Sequence, residues 1–428
     1  MILNYFRQAW TLVRQHKLFT SIYVVGTGLS IALVMTLFII FYVKFGPVYP
    51  EYNRDRTLVI KYMQYYPKSG EKNFRSGGVS QYVMTDLLPG LPHLETIAAM
   101  EKAQQIQVGV TGSNQVFKVF SMKVNAGFWK VFTFHFLSGK PFTEADTEAA
   151  ARVVVISESM ARRLFSTVAA TGRDFLIKGR KYRVCGVVQD VSAATPASAA
   201  DMWLTFVVDK SFTFDEGLRG GLSLYLTAPS KAEKEALKAE VQEAFHKFNT
   251  STKEYVNDLM EQPDDYWKST FRTDSSKVPD WKGQLRVFAY ILLALLFIPA
   301  VNLGGMISSR MDTRIAELGI RKAYGATNAT LVRQVLTENF LLTFMGGIVG
   351  LIVSYLIVVM TGNWILTLFD DRINMSLNPP FLTFEMLFNP YVFGTAFVVC
   401  LLLNVISALV PTLLALRNNI VQSLHHKR

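Results

Sequence analysis

The stretch RMDTRIAELGIRKAYG, residues 310–325, lies between two apolar runs, 285–308 and 335–361, each long enough to cross a membrane. It sets Arg310, Arg314, Arg321 and Lys322 against Asp312 and Glu317. On a helix, Arg314 and Glu317 stand three apart and Glu317 and Arg321 four apart, so they can pair on one face. Ile315, Leu318 and Tyr324 make an apolar stripe at helical spacing. Gly325 stands where a C-terminal cap belongs, and Thr327 or Asn328 can open the next helix. The expected element is a short charged helix within 309–334, held by a span on each side and placed to take a push from a soluble partner. On the residues alone a plainer reading comes first: a basic cytoplasmic loop that only obeys the orientation rule.

The rest of the chain supports a membrane setting. Half of its 428 residues are hydrophobic (50%), and mean hydropathy is +0.24. A formal charge of +11 would suit nucleic acid or an anionic membrane surface, and the placement of the basic residues decides for the membrane. Residues 1–17 read as a basic amphipathic helix, with Phe6, Trp10 and Val13 on one side and Arg7, Arg14 and Lys17 able to reach lipid headgroups. The run 18–43 has no charged residue. It exceeds the apolar core of about 7–15 residues found in cleaved signal peptides, so an uncleaved anchor is expected. With 285–308, 335–361 and 391–416 the expected spans number four, one plus three, around an insert at 44–283.

Orientation follows from lysine and arginine. Arg7, Arg14 and Lys17 precede the first span; Arg310, Arg314, Arg321, Lys322 and Arg333 lie in 309–334; Arg417, Lys427 and Arg428 lie in the tail 417–428. The loop 362–389 carries only Arg372, beside Asp370, Asp371 and Glu385. The positive-inside rule puts both termini and 309–334 in the cytoplasm, and the insert and 362–389 outside.

The insert reads as globular. Strands are expected at 56–63, 115–124, 151–156, 200–208 and 221–227, helices at 79–88, 157–165 and 230–248, and a hairpin from 174–178 to 182–188 through a Gly-Arg turn. Residues 249–282 read as a polar return to the membrane. Only two cysteines exist, Cys185 and Cys400, far apart in kind, so no disulfide framework is expected.

The stretch that opens this reading also carries a resemblance. Arg314, Glu317, Leu318, Gly319, Ile320, Arg321, Lys322, Ala323, Gly325 and Ala326, followed by Gln334, Leu336, Glu338, Leu341, Leu342, Gly346, Gly347 and Gly350, resemble the MacB/FtsX-type ABC transporter permeases. The insert, through AGFWKVFTFHFLSGKPF, VVVISESMARRLF and YRVCGVVQDV, is similar to the MacB-like periplasmic core domain. It departs from the family pattern after Phe165, with STVAAT where a glycine and a proline are common, and at Tyr23, where asparagine is common.

The resemblance implies an α-helical membrane protein with four transmembrane helices and a large α+β extracytoplasmic domain between helices 1 and 2, in the bacterial inner membrane. It implies that Arg314, Ile315, Glu317, Leu318, Gly319, Arg321, Lys322 and Gly325 dock on a separate ABC ATPase. ATP and Mg would sit on that subunit, with no cofactor on this chain. It further implies a second permease chain, identical or related, contact with lipid, room for a periplasmic or outer-membrane partner, and no nucleic acid. The cargo class would be a lipoprotein, peptide or drug. The alternative is an FtsX-like signalling protein that controls an extracellular cell-wall hydrolase.

The sequence has no G-x-x-x-x-G-K-[ST] loop, no H-E-x-x-H and no G-x-S-x-G, so no catalytic constellation can be named. Within the apolar runs, Asn302, Gly346, Gly347, Gly350 and Asn404 read as helix-packing residues. Glu338, near the cytoplasmic end of the third span, can pair with the coupling stretch or sit among headgroups.

Overall fold

The structure, a computed structural model, describes residues 11, 17–69, 75–110, 115–206, 218–252, 255–367 and 382–417. Of residues 18, 19, 298–304, 306–319, 362–367, 384, 403, 404, 407, 408, 410–412 and 414–417 it describes the backbone only. The helix expected at 1–17 and the tail 418–428 therefore lie outside the described residues, save for Thr11 and Lys17. Two compact units emerge, one from within 1–42, 285–365 and 383–428, the other from within 43–284 and 366–382.

Helix α1 (Lys17–Phe45) is the first expected span. Its long uncharged run favours helix because lipid offers backbone groups no other partner. It stops at Phe45 because Gly46 and Pro47 follow, and proline cannot continue a helix.

The extracytoplasmic unit contains strands β1 (Thr57–Ile60), β2 (Met63–Pro67), β3 (Arg75–Val79), β4 (Thr96–Glu101), β5 (Gln104–Val110) and β6 (Val116–Val124). Helix α2 (Phe128–Val131), β7 (Phe136–Gly139), α3 (Glu144–Glu148), β8 (Val153–Ser157) and α4 (Glu158–Phe165) follow. Next come β9 (Asp174–Ile177), β10 (Arg180–Val188), β11 (Met202–Thr205), β12 (Arg219–Gly220), β13 (Leu222–Thr227) and α5 (Lys234–Ser251). The last are β14 (Tyr255–Asp258), β15 (Asp264–Asp265) and α6 (Tyr266–Ser269).

Six strands close on themselves in the order β6, β5, β9, β10, β8, β11 and back to β6. Closure leaves no unpaired edge in that ring. Its core holds Val108, Val119, Val154, Ile156, Phe175, Val184 and Met202, joined by Met160, Ala161 and Leu164 of α4. Strands β4, β13, β3, β2 and β14 continue the sheet, and β1 pairs with β13. Helix α5 packs this half with Leu237, Val241, Phe245 and Phe248, one stripe at helical spacing. Full burial of each such side chain contributes about 1.5–3 kcal/mol.

Several expectations meet a different local structure. The strand expected at 56–63 is broken into β1 and β2 at Lys61–Tyr62. There the Gln262 side chain accepts from Lys61 N–H (2.8 Å) and donates to Tyr62 O and Leu259 O, standing in for a missing strand neighbour. The hairpin turn uses Lys178 and Gly179, not Gly-Arg, and both have positive φ (48° and 76°), the geometry of a two-residue hairpin loop. In STVAAT, Ser166 takes the left-handed cap position after α4 (φ 58°), which is where glycine usually serves. Strand β3 ends at Val79 and a π-helical turn covers Val83–Leu87, where a helix over 79–88 is expected. The polar return is folded into the domain, since β14 pairs with β2.

Helix α7 (Trp281–Ala323) is capped by Asp280, whose Oδ1 accepts from Gly283 N–H at 2.9 Å. It corrects the expected short charged helix: the span and the charged stretch are one helix of 43 residues. No proline lies between Val301 and Ala323, and glycine at 304, 305 and 319 is too weak a breaker to end it. Helices α8 (Asn328–Thr367), α9 (Phe384–Leu387) and α10 (Pro390–Arg417) complete the membrane unit. Among the described residues three helical segments are long and apolar enough to cross a membrane: Thr20–Phe45, Asn328–Thr361 and Glu385–Leu402. The span expected at 285–308 falls within α7, where many side chains lie outside the described residues.

Candidate coupling site

The turn between α7 and α8 is built by two complementary caps. Gly325 N–H donates to Lys322 O (3.0 Å) and Ala326 N–H to Arg321 O (3.0 Å), the paired bonds of a helix stop that needs a left-handed residue. Gly325 supplies it with φ +91°. Thr327 then opens α8: its Oγ1 accepts from Thr330 N–H at 3.3 Å. Two helices thus meet at a tight, fixed corner.

Ile320 and Tyr324 are exposed at this corner, Tyr324 by 90%. Arg321 is half-buried and donates from Nη1 to Gln334 Oε1 at 2.6 Å. Gln334 Nε2 donates in turn to Glu338 Oε1 at 3.5 Å. Gln334 and Glu338 are both buried (6% and 4% exposed), so the relay cross-braces the first turns of α8 to the end of α7. Glu338 is therefore linked to Arg321, at the end of α7, through Gln334. Lys322 is half-buried. For Arg314, Ile315, Glu317, Leu318 and Gly319 the structure gives helical backbone on α7, and their side chains lie outside the described residues. The same holds for Asn302 on α7 and Asn404 on α10.

The glycine cluster of α8 faces two helices. A β-carbon on Gly346 would come within 3.0 Å of Thr27 Cβ, and one on Gly350 within 2.8 Å of Gly28 O and 2.9 Å of Ile31 Cβ. Gly347 faces α10, where a β-carbon would meet Phe397 Cε2 at 2.7 Å. Gly28 is the partner that sequence reasoning missed. The signal was present: a glycine between Thr27 and Leu29 in an apolar run is the small residue a close helix contact needs.

In the extracytoplasmic unit no group of three or more His, Cys, Asp or Glu residues converges on a metal-sized site among the described residues. Cys185 donates its thiol to Val154 O at 3.3 Å, and burial pushes its pKa up to about 11. That is the environment of an unreactive thiol.

Comparison with known proteins places both parts. Residues 20–244 match the family described as MacB-like periplasmic core domain, and residues 289–420 the FtsX-like permease C-terminal family. The chain is 25% identical over 233 residues to the uncharacterized ABC transporter permease YknZ of Bacillus subtilis, covering 54% of this chain and 55% of that protein. It is 25% identical over 264 residues to the macrolide export ATP-binding/permease protein MacB of Chromobacterium violaceum, covering 60% and 37% respectively. The chain thus spans about half the length, or less, of the curated relatives it matches. Among solved structures, the periplasmic region of MacB from Actinobacillus actinomycetemcomitans aligns with a TM-score of 0.35 at 17% identity, over 51% of this chain and 94% of that one.

Proposed function

The chain belongs to the MacB/FtsX-type ABC transporter permeases, and from that membership we propose that it works by mechanotransmission. A separate ATPase, holding ATP and Mg, draws together the 309–334 regions of two permease chains, identical or related. Of the four expected spans, one plus three, the first two carry the movement outward. The extracytoplasmic domain then handles a lipoprotein, peptide or drug at the outer face of the bacterial inner membrane, alone or with a periplasmic or outer-membrane partner. What carries the reading is the continuity of α7. It begins at Trp281, in the extracytoplasmic unit, and ends at Ala323 beside the charged corner. At 1.5 Å per residue a helix of that length runs for about 65 Å. Pro299 removes one donor from its hydrogen-bond ladder.

Orientation is tested by labelling. A cysteine at Ser309 is shielded from an impermeant thiol reagent in intact cells, and one at Ser275 is labelled. The reverse pattern overturns both the orientation and the coupling role.

Coupling is tested at Leu318. An apolar anchor seated in a partner's groove costs about 2 kcal/mol or more when lost, whereas rim charges mainly tune rate and salt dependence. Leu318→Asp abolishes co-purification of the ATPase at normal membrane abundance. Lys322→Ala weakens it less, and most visibly at low salt. Retained binding with Leu318→Asp leaves only a loop that sets orientation.

A further inference from the structure

The short helix α6 and Phe271 touch the base of two long helices at once, and every group involved belongs to the extracytoplasmic unit. At the end of α1, Arg54 donates from Nη1 to Val43 O (2.9 Å) and Gly46 O (2.7 Å). A cation there meets the last carbonyls of the helix and the negative end of its dipole. Arg54 is itself held by Glu51, with Nε and Nη2 donating to Oε2 at 2.9 and 2.6 Å. Glu51 is held by Ser198, which donates to Oε1 at 2.8 Å, and by the hydroxyl of Tyr266 on α6. The Arg54 guanidinium also lies 5.0 Å from the Tyr266 ring centre. Burial first, and Glu51 second, keep the Tyr266 hydroxyl protonated well above pH 10.

The neighbouring residues grip both helices. Phe271 packs on Phe45 (5.7 Å between ring centres), and the Lys44 ammonium lies 5.4 Å from its ring. Trp267 meets Trp281, the first residue of α7, edge to face at 5.4 Å, and the Lys268 ammonium lies 5.3 Å from the Trp281 ring. Helix α6 is in turn fixed to the domain. Asp265 receives Lys234 of α5 at 2.6 Å and Lys268 at 2.7 Å, and Lys61 after β1 donates to Ser269 O. Burial alone would raise the Asp265 pKa, but the two lysines hold it below the usual carboxylate range.

We propose that Tyr266–Phe271 is a collar that locks the end of α1, through Glu51 and Arg54, and the start of α7, through Trp281, to the extracytoplasmic domain, so that helix movement enters the domain here. The transmission part rests on the function proposed above. Two long apolar helices could be joined to a domain by loose linkers. Here a buried ion pair (side chains 0% and 4% exposed) is spent on a helix end, which would otherwise fray. Glu51, Arg54 and Tyr266 are positioning residues: they hold the helix end and touch no cargo.

The test is hydrogen exchange on the full-length chain in nanodiscs, alone and with the ATPase subunit that co-purifies. Arg54→Gln raises exchange across residues 40–52 at least tenfold and leaves the β13 amides unchanged. Tyr266→Phe, which keeps the ring and the ion pair, raises it about threefold, and Arg54→Lys falls between. With the ATPase present, Mg-ATP changes exchange in the domain of the unaltered chain. Arg54→Gln and Trp281→Ala keep ATP hydrolysis and lose that change. Unchanged exchange at 40–52, an equal rise over the whole domain, or an ATP response that survives both variants overturns the collar. Absence of any ATP response in the unaltered chain counts against the proposed function instead, and the collar is then decided by exchange at 40–52 alone.

Discussion

Gly350→Leu strips the chain from the membrane fraction. The contact it breaks is among the tightest in the membrane unit: a β-carbon at Gly350 falls 2.8 Å from Gly28 O and 2.9 Å from Ile31 Cβ, with backbone on one side and a branched side chain on the other. Neither can swing away, so α1 and α8 must separate. In lipid no hydrophobic force pulls the helices back, because association rests on close packing. Overpacking of this kind costs about 1–3 kcal/mol for added methylenes, and occasionally more. Gly350→Ala is expected to lie between glycine and leucine. Gly347→Leu costs less, since its obstacle is the ring of Phe397, the far end of a side chain that can rotate. Gly394→Ala is the control: nothing lies within 4 Å of its β-carbon, and a helical Gly→Ala change gains about 0.5–1 kcal/mol. Membrane abundance and thermal unfolding in mild detergent rank the four variants. Equal behaviour of Gly350→Leu and Gly394→Ala would show that the close contact has no energetic weight.

That comparison also shows what the sequence could and could not reveal. A glycine cluster in an apolar run announces close packing, because in lipid small residues are the main way two backbones approach. It does not announce the partner, since Gly28 lies more than three hundred residues away in the chain. Likewise the caps at Gly325 and Thr327 are local chemistry and were legible residue by residue. The continuity of α7 was not, because charge and apolarity change at Ser308 while helical propensity does not. The reader of a hydropathy profile sees a boundary where the backbone has none.

In the insert the legible elements were those with a strong local signal. Residues 153–156 are an unbroken β-branched run, and Ser157 caps α4 by accepting from Met160 N–H at 3.3 Å. Strands β4 and β5 were missed: TIAAME and QQIQVGV are short, polar at their ends and stabilised by cross-strand neighbours rather than by their own composition. The structure within the return segment was hidden for a related reason. Its polar residues read only as a return to the membrane, and several are buried and paired in the domain: Gln262 is 0% exposed and Arg272 is 3% exposed. Composition cannot distinguish a polar residue that faces water from one that is fully satisfied inside.

Arg272→Met tests that distinction. Arg272 Nε donates to Asp264 Oδ2 at 2.6 Å and Nη2 to Asp264 Oδ1 at 3.2 Å, while Nη2 and Nη1 also reach Met260 O (3.0 Å) and Lys277 O (3.2 Å). The two side chains are 0% and 9% exposed. Methionine fills similar space but leaves a buried carboxylate and two carbonyls without their donor. Removing one member of a buried pair costs about 3–5 kcal/mol, a large share of a typical domain's margin of about 5–15 kcal/mol. Arg272→Lys recovers little, because a single ammonium cannot reproduce the fork that reaches Asp264 and both carbonyls. Arg272→Met combined with Asp264→Leu recovers much of the loss, since no charge is then stranded. Denaturant unfolding of the extracytoplasmic unit, followed by tryptophan fluorescence, measures all three. A single variant no less stable than the double would mean that the return segment is solvated after all, and that its pairing contributes nothing to holding α6 in place.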